Sequence, residues 1–172
     1  MHEIERVSLV KDLAQRIELV LLTPAYLRGE GVDLGFEDTH GFLADADDLI
    51  KLRLADLEAN PRVTPWLLRA IVDRETRAAV GFIGFHGAPD PRGMVEVGYE
   101  VLPAFRRRGY AREALAVIEA FAARQGARVV RASVSPGNMA SIALIERGGY
   151  VHVGEQIDEI DGRELVYEKM IS

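Results

Sequence analysis

From residue 102 to 115 the chain carries Arg106-Arg107-Arg108-Gly109 immediately ahead of a helical pattern that begins Tyr110-Ala111-Arg112-Glu113-Ala114-Leu115. A basic loop of this kind can turn several backbone N–H groups toward one anion, and the dipole of the following helix adds about 0.3–1 kcal/mol for negative charge. It suits a pyrophosphate. The spacing is not that of the common nucleotide loops, having neither a Gly-Lys-Ser/Thr nor a Gly-x-Gly-x-x-Gly run. On spacing alone, three arginines ahead of a helix are also what a solvated turn contains. A second chemical feature lies just upstream, where Glu96 and Glu100 share one face of a strand-like run, opposite Val95, Val97, Tyr99 and Val101. Either carboxylate could serve as a base in a cleft, or simply stand half exposed on a strand.

Composition narrows the other options. The 172 residues suit one domain of the usual ~150-residue scale. Hydrophobic residues at 48% and charged residues at 28% match a soluble globular chain. No apolar run reaches the ~18–20 residues of a spanning helix, and Met1-His2-Glu3-Ile4-Glu5 lacks the layout of a secretory signal, so a cytoplasmic location and no membrane partner are expected. Cysteine is absent, which excludes disulfides, thiolate metal sites and a cysteine nucleophile. His2, His40, His86 and His152 have no metal-ligand spacing, so no metal is expected. A net charge of −6 argues against a general nucleic-acid binder and is compatible with a cationic acceptor.

The elements that must position these residues follow from periodicity and punctuation. Branched residues over 16–22 predict a first strand, and Thr23-Pro24 a helix start with Thr23 as cap, ending near Gly29. Leu49, Leu52 or Arg53, and Leu57 predict an amphipathic helix over 45–59, closed by Asn60-Pro61. Three strands are expected at 66–73, 79–86 and 94–102, joined as hairpins. A helix over 110–124, a strand over 129–135 and a helix over 138–147 come next, and strands over 150–156 and 163–170 close the chain around Asp161-Gly162. The order is β-α-α-β-β-β-α-β-α-β-β, a mixed α/β (α+β) sheet in a single domain over 1–172.

With its surroundings, the loop carries a family resemblance. Arg106-x-x-Gly109-x-Ala111 after a strand resembles the coenzyme A pyrophosphate loop of the GNAT acetyltransferases. Upstream, Glu96-Val97-Gly98-Tyr99-Glu100-Val101-Leu102-Pro103 resembles the family's fourth strand, and Asn138-Met139-Ala140-Ser141-Ile142 through Gly149-Tyr150 resembles its second coenzyme-binding helix. The three motifs cover roughly residues 80–150, and the Asn-x-x-Ser form is similar to the RimJ/RimL-type branch. The resemblance implies a mainly antiparallel seven-stranded sheet flanked by four helices, with a bulge in the fourth strand splaying it from the fifth. It implies acetyl-coenzyme A as co-substrate, bound by backbone amides from Arg107 through Arg108, Gly109 and Tyr110 to Ala111, and by the Arg106 and Arg107 side chains. Main-chain groups near Val101 and Leu102 would hold the pantetheine arm, and Asn138 would reach the same region unless it acts as a helix cap alone.

The implied reaction sets the demand on the carboxylates. An alkyl ammonium of pKa ~10.4 loses its proton at pH 7 at a cost of about 4.6 kcal/mol, so a base helps. Glu96 is favoured for that task by its match to the family strand, and strand N–H groups would stabilise the oxyanion of the tetrahedral intermediate. Many members place a thiolate-protonating tyrosine seven residues after the motif asparagine; here that position is Ile145, leaving Ser141 as the candidate acid. The acceptor, a small-molecule amine or a peptide N-terminus, would lie among the first two helices, the 31–36 loop, His86 and the 158–162 hairpin. His86 is either a second base or a structural hydrogen-bonder. Gly148 departs from the apolar residue usual there. Homodimer pairing is common in the family and is expected, and a coenzyme A-binding sensor or partner-binding module is the alternative to an enzyme.

Overall fold

The computed structural model describes residues 16–171; the opening residues, His2 among them, lie outside the described residues. In chain order the elements are β1 (Ile17–Leu21), α1 (Pro24–Leu27), α2 (Asp47–Ala59), β2 (Arg69–Asp73), β3 (Ala79–Phe85), β4 (Met94–Val101), α3 (Tyr110–Arg124), β5 (Val129–Val134), α4 (Met139–Arg147), β6 (Val151–Asp158) and β7 (Gly162–Met170). Two 3₁₀ turns, Pro61–Trp66 and Pro103–Phe105, punctuate them. One seven-stranded sheet of order β1-β2-β3-β4-β5-β7-β6 results. Every neighbouring pair is antiparallel except β4 and β5, which run parallel. Among the described residues this is the mixed, mainly antiparallel sheet with four α-helices that the resemblance implied.

Strand alternation sorts the core into two layers. Ile17, Leu19, Ile71, Ile83, Phe85, Val95, Val97, Val101 and Val130 pack beneath α3, whose Ala114, Leu115, Ile118, Phe121 and Ala122 form its inward stripe. On the opposite face Val20, Ala70, Val72, Ala79 and Phe82 pack with Leu27, Leu34, Phe42 and Ala46 from α1 and the segment leading to α2. β3 is buried at every position because both layers close over it.

One expected element is corrected, and one choice left open between two residues is decided. The strand expected over 66–73 begins only at Arg69: Pro61 and Pro65 remove N–H donors and fix φ, and the segment winds into a 3₁₀ turn with Asn60 Oδ1 accepting from Arg62 N at 3.1 Å. In α2 the inward position goes to Arg53, 5% exposed, while Leu52 is 52% exposed. Asp56, one turn on, accepts from Arg53 Nη1 at 2.8 Å, and that pairing lets a guanidinium occupy the buried stripe. The Thr23 cap stands as expected, accepting from Tyr26 N at 3.2 Å.

Candidate active site

Pairing between β4 and β5 covers only Met94↔Val129, Val95↔Val130 and Glu96↔Arg131. β4 runs on to Val101, but β5 keeps pairing with β7 from Val129↔Met170 to Val134↔Leu165. Twisted strands can follow one neighbour or the other, and β5 follows β7, so a gap opens beyond Glu96. The bulge expected in β4 is absent: the β3–β4 register runs unshifted from Phe85↔Val97 to Gly81↔Val101. The splay therefore arises on the β5 side.

Hydrogen-bond parity shows which backbone groups face the gap. His86 N donates to Glu96 O and Leu102 N to Val80 O, both at 2.9 Å, so the even-numbered residues of β4 turn their polar groups to β3. Tyr99 and Val101 turn theirs toward the gap. The main-chain contact expected at Leu102 is thus displaced, since its N–H is in the ladder and its carbonyl accepts from Phe105 N at 2.9 Å. The Val101 carbonyl is held by Arg106 Nε at 2.8 Å.

The loop that follows is shaped for an anion. Arg107 (φ 62°) and Gly109 (φ 86°) are both left-handed, an alternation that points successive N–H groups to one side. α3 has no side-chain cap at Gly109, and its first internal bond is Glu113 N to Gly109 O at 3.1 Å, leaving the N–H groups before it open. Arg106, Arg107 and Arg108 are exposed around this helix head, Arg108 lying 5.5 Å over the Phe105 ring. Tyr110 and Ala111 form the first turn, Tyr110 buried and donating to Asp73 Oδ2 at 2.6 Å. That hydroxyl is the main reason the Asp73 carboxyl is held below its usual range.

Arg16 braces the loop, a role that nothing in the sequence signals. Its Nη2 donates to Arg108 O at 2.6 Å, its Nε to Glu113 Oε1 at 2.7 Å, and its guanidinium lies 4.9 Å over Tyr110. Binding the carbonyl leaves the loop's N–H groups free for a ligand.

On the far face of β4, Glu96 is held by groups the sequence reading did not join to it. Ser133 Oγ donates to Glu96 Oε1 at 2.7 Å, and Gln156 Nε2 donates to Ser133 Oγ at 3.1 Å and to the buried Glu164 at 2.8 Å. His86 Nδ1 lies 3.8 Å from Glu96 Oε2. Its ring packs over Gly98, where a Cβ would come within 3.0 Å of Nε2. Partial desolvation lowers the pKa of His86, whose side chain is 48% exposed, against the opposing pull of Glu96, while Arg53 lowers it further and Asp158 and Asp56 raise it. Those charges come from α2 and from Asp158 at the end of β6, two of the several elements expected to bound an acceptor; nothing in α1 or the 31–36 loop is among the charges acting on His86. Glu100, by contrast, is exposed, 4.0 Å from Arg106 Nη2, and joins no network with Glu96.

At the gap's other wall, Asn138 caps α4, accepting from Ser141 N at 3.2 Å, and Ser141 Oγ lies 3.0 Å from the Tyr99 hydroxyl. Ile145 is fully buried in the core. The site therefore comprises a strand gap, an open helix head and a tethered carboxylate.

Residues 33–151 match the model of the acetyltransferase (GNAT) domain, and the chain belongs to that family. It is 32% identical over 82 residues to YjdG of Bacillus subtilis (strain 168), named as an uncharacterized N-acetyltransferase; the match covers 47% of this chain and 49% of that protein. The chain thus spans about half the length of the curated relatives it matches. Among solved structures, the microcin C7 self-immunity acetyltransferase MccE, in complex with acetyl-CoA and AMP, superposes with a TM-score of 0.67 at 17% identity, covering 96% of this chain and 99% of that one. The ribosomal-protein-S5-alanine acetyltransferase from Vibrio fischeri superposes at 0.60 and 16% identity, covering 91% and 92%. These likenesses establish the fold.

Proposed function

We propose that this protein is an acetyl-coenzyme A-dependent N-acetyltransferase of the RimJ/RimL-type branch, acting on the primary amine of a small molecule or a protein N-terminus. One observation carries the reading: β4 parts from β5 directly after Glu96, between an uncapped, arginine-rich helix head and a hydrogen-bonded carboxylate. Family membership supports the donor, as does the acetyl-CoA complex among the structural neighbours.

The residues divide the work along the gap. N–H groups from Arg107 to Ala111, with the Arg106 and Arg107 side chains, hold the pyrophosphate; Tyr99 and Val101 offer main-chain partners to the pantetheine arm; Asn138 orders the head of α4. Glu96 takes the proton of the attacking amine, directly or through water. The Ser133 hydroxyl fixes one carboxylate oxygen and leaves the other toward His86. The lowered pKa of His86 favours its neutral form, which leaves the Glu96 carboxylate less screened than an imidazolium would. The nitrogen then bonds to the thioester carbon, strand N–H groups receive the oxyanion, and the carbon–sulfur pair leaves on sulfur, next to Ser141.

Titration calorimetry with acetyl-coenzyme A, followed by thiol release with polyamines, aminoglycosides, amino acids and ribosomal N-terminal peptides, tests this. Binding that Arg106→Glu or Gly109→Asp abolishes, together with acetylation of one amine, is the expected result. Undiminished affinity in those variants overturns the site assignment. Tight binding without turnover on any amine overturns the enzyme reading in favour of a coenzyme A-binding sensor.

A further inference from the structure

Of the chain's five tyrosines, three have their hydroxyl proton committed to a carboxylate: Tyr110 to Asp73, Tyr150 to Glu119 and Tyr167 to Glu146. Tyr26, in α1, packs against Phe36 on the other face of the sheet. Tyr99 alone has its phenol 3.0 Å from another hydroxyl, that of Ser141. It stands in the stretch of β4 beyond the last β5 pair, and Ser141 stands in the first turn of α4, so their contact bridges the gap from wall to wall. The pair is 42 residues apart in sequence.

Resting on the acetyl-transfer reading above, we infer that Tyr99 is the proton source for the departing coenzyme thiolate, acting through Ser141. A serine hydroxyl has one proton and two lone pairs, so it can accept from Tyr99 while donating to sulfur. Alone it is a poor acid. A phenol of pKa ~10 lies within about two units of a thiol at ~8.5, which makes proton sharing along the chain feasible. Burial raises the Tyr99 pKa, which keeps the phenol protonated at neutral pH but weakens it as an acid, and the hydrogen bond with Ser141 opposes that shift. As the carbon–sulfur bond breaks with its electron pair on sulfur, the Ser141 proton moves to sulfur and the Tyr99 proton to Ser141 Oγ. The phenolate regains a proton from water, while the surplus proton of the amine leaves through Glu96. Fully buried Ile145 supplies no hydroxyl, and the phenol on β4 takes over the function from the opposite wall.

The test uses coenzyme A itself as probe and needs no acceptor. The ultraviolet thiolate absorbance of bound coenzyme A is titrated with pH in the wild type, Tyr99→Phe, Ser141→Ala and the double variant. A donor to the thiolate lowers the thiol pKa, so each single variant should raise it by about one unit, and the double variant no further than Ser141→Ala alone. With any active amine, kcat of Tyr99→Phe should fall ~10–100-fold with KM for acetyl-coenzyme A within twofold. Coenzyme A bound to Tyr99→Phe with an unshifted thiol pKa and unchanged kcat overturns the inference and leaves acetyl transfer standing. A wild type that does not bind coenzyme A overturns both. Should Tyr99→Phe fail to fold, Ser141→Ala keeps the phenol in place, and an unshifted thiol pKa there overturns the relay.

Discussion

Gly109→Ala puts the helix head under the most direct strain. The residue sits at φ 86°, where an L side chain costs roughly 1–2 kcal/mol. The new Cβ would also lie 3.0 Å from Arg16 Nη2. Arg16 cannot give way without disturbing its bonds to Arg108 O and Glu113 Oε1, and a half-exposed brace of this kind is worth about 0.2–1 kcal/mol. Together the terms come to about 2 kcal/mol, a fall in Tm of roughly 4–8 °C for a chain of this size. If the backbone instead escapes the left-handed region, the N–H groups of Gly109 and Tyr110 rotate away. Losing one charge-assisted hydrogen bond of about 1.5–3 kcal/mol then weakens acetyl-coenzyme A binding by ~10-fold or more. Thermal denaturation and titration calorimetry on Gly109→Ala, Arg16→Ala and the double variant separate the two. Because the methyl and the arginine meet, the double variant should lose less than the sum of the singles by ~0.5 kcal/mol or more. A Gly109→Ala protein within 1 °C of wild-type Tm and twofold of its affinity, on the order of experimental error against these expectations, would refute the reasoning.

Three further outcomes are expected. Glu96→Gln should lower kcat by ~10²–10⁴-fold with acetyl-coenzyme A affinity unchanged in calorimetry, and the same variant should lower the His86 pKa further in an NMR titration, since the carboxylate holds that value up. Ile145→Tyr should not restore an acid: the site is fully buried, so the added volume should cost about 1–3 kcal/mol in denaturant unfolding with no gain in turnover. Tyr110→Phe removes the main cause of the lowered Asp73 pKa. A depressed carboxylate stabilises the fold above its unfolded pKa of ~3.9 and loses that contribution as pH falls through the folded value. The gap in Tm between wild type and variant should therefore narrow as pH drops below about 4.

Which parts of the site were legible depended on the range of the interaction that builds them. Periodicity gave the strand and helix order because each stripe is local, and the Thr23 cap and the uncapped glycine before α3 are set within a few residues. Arg53 in place of Leu52 was not legible: both fit a helical stripe, and the choice rests on Asp56 neutralising the guanidinium once α2 lies against the sheet. The same holds at the centre of the site. Glu96 could be read from its strand, but Ser133 and Gln156, which fix its carboxylate, lie 37 and 60 residues away and join it only through the β5–β7 pairing. The gap between β4 and β5 has no marker at all in β4, where a bulge was expected and the register is unbroken. It exists because β5 follows β7 for six residue pairs while it shares only three with β4. The opening that Tyr99 and Ser141 bridge is thus decided by the last strand of the chain. Substitutions that weaken β5–β7 pairing, such as a proline at Ala132, should close or distort the gap without touching any residue that lines it.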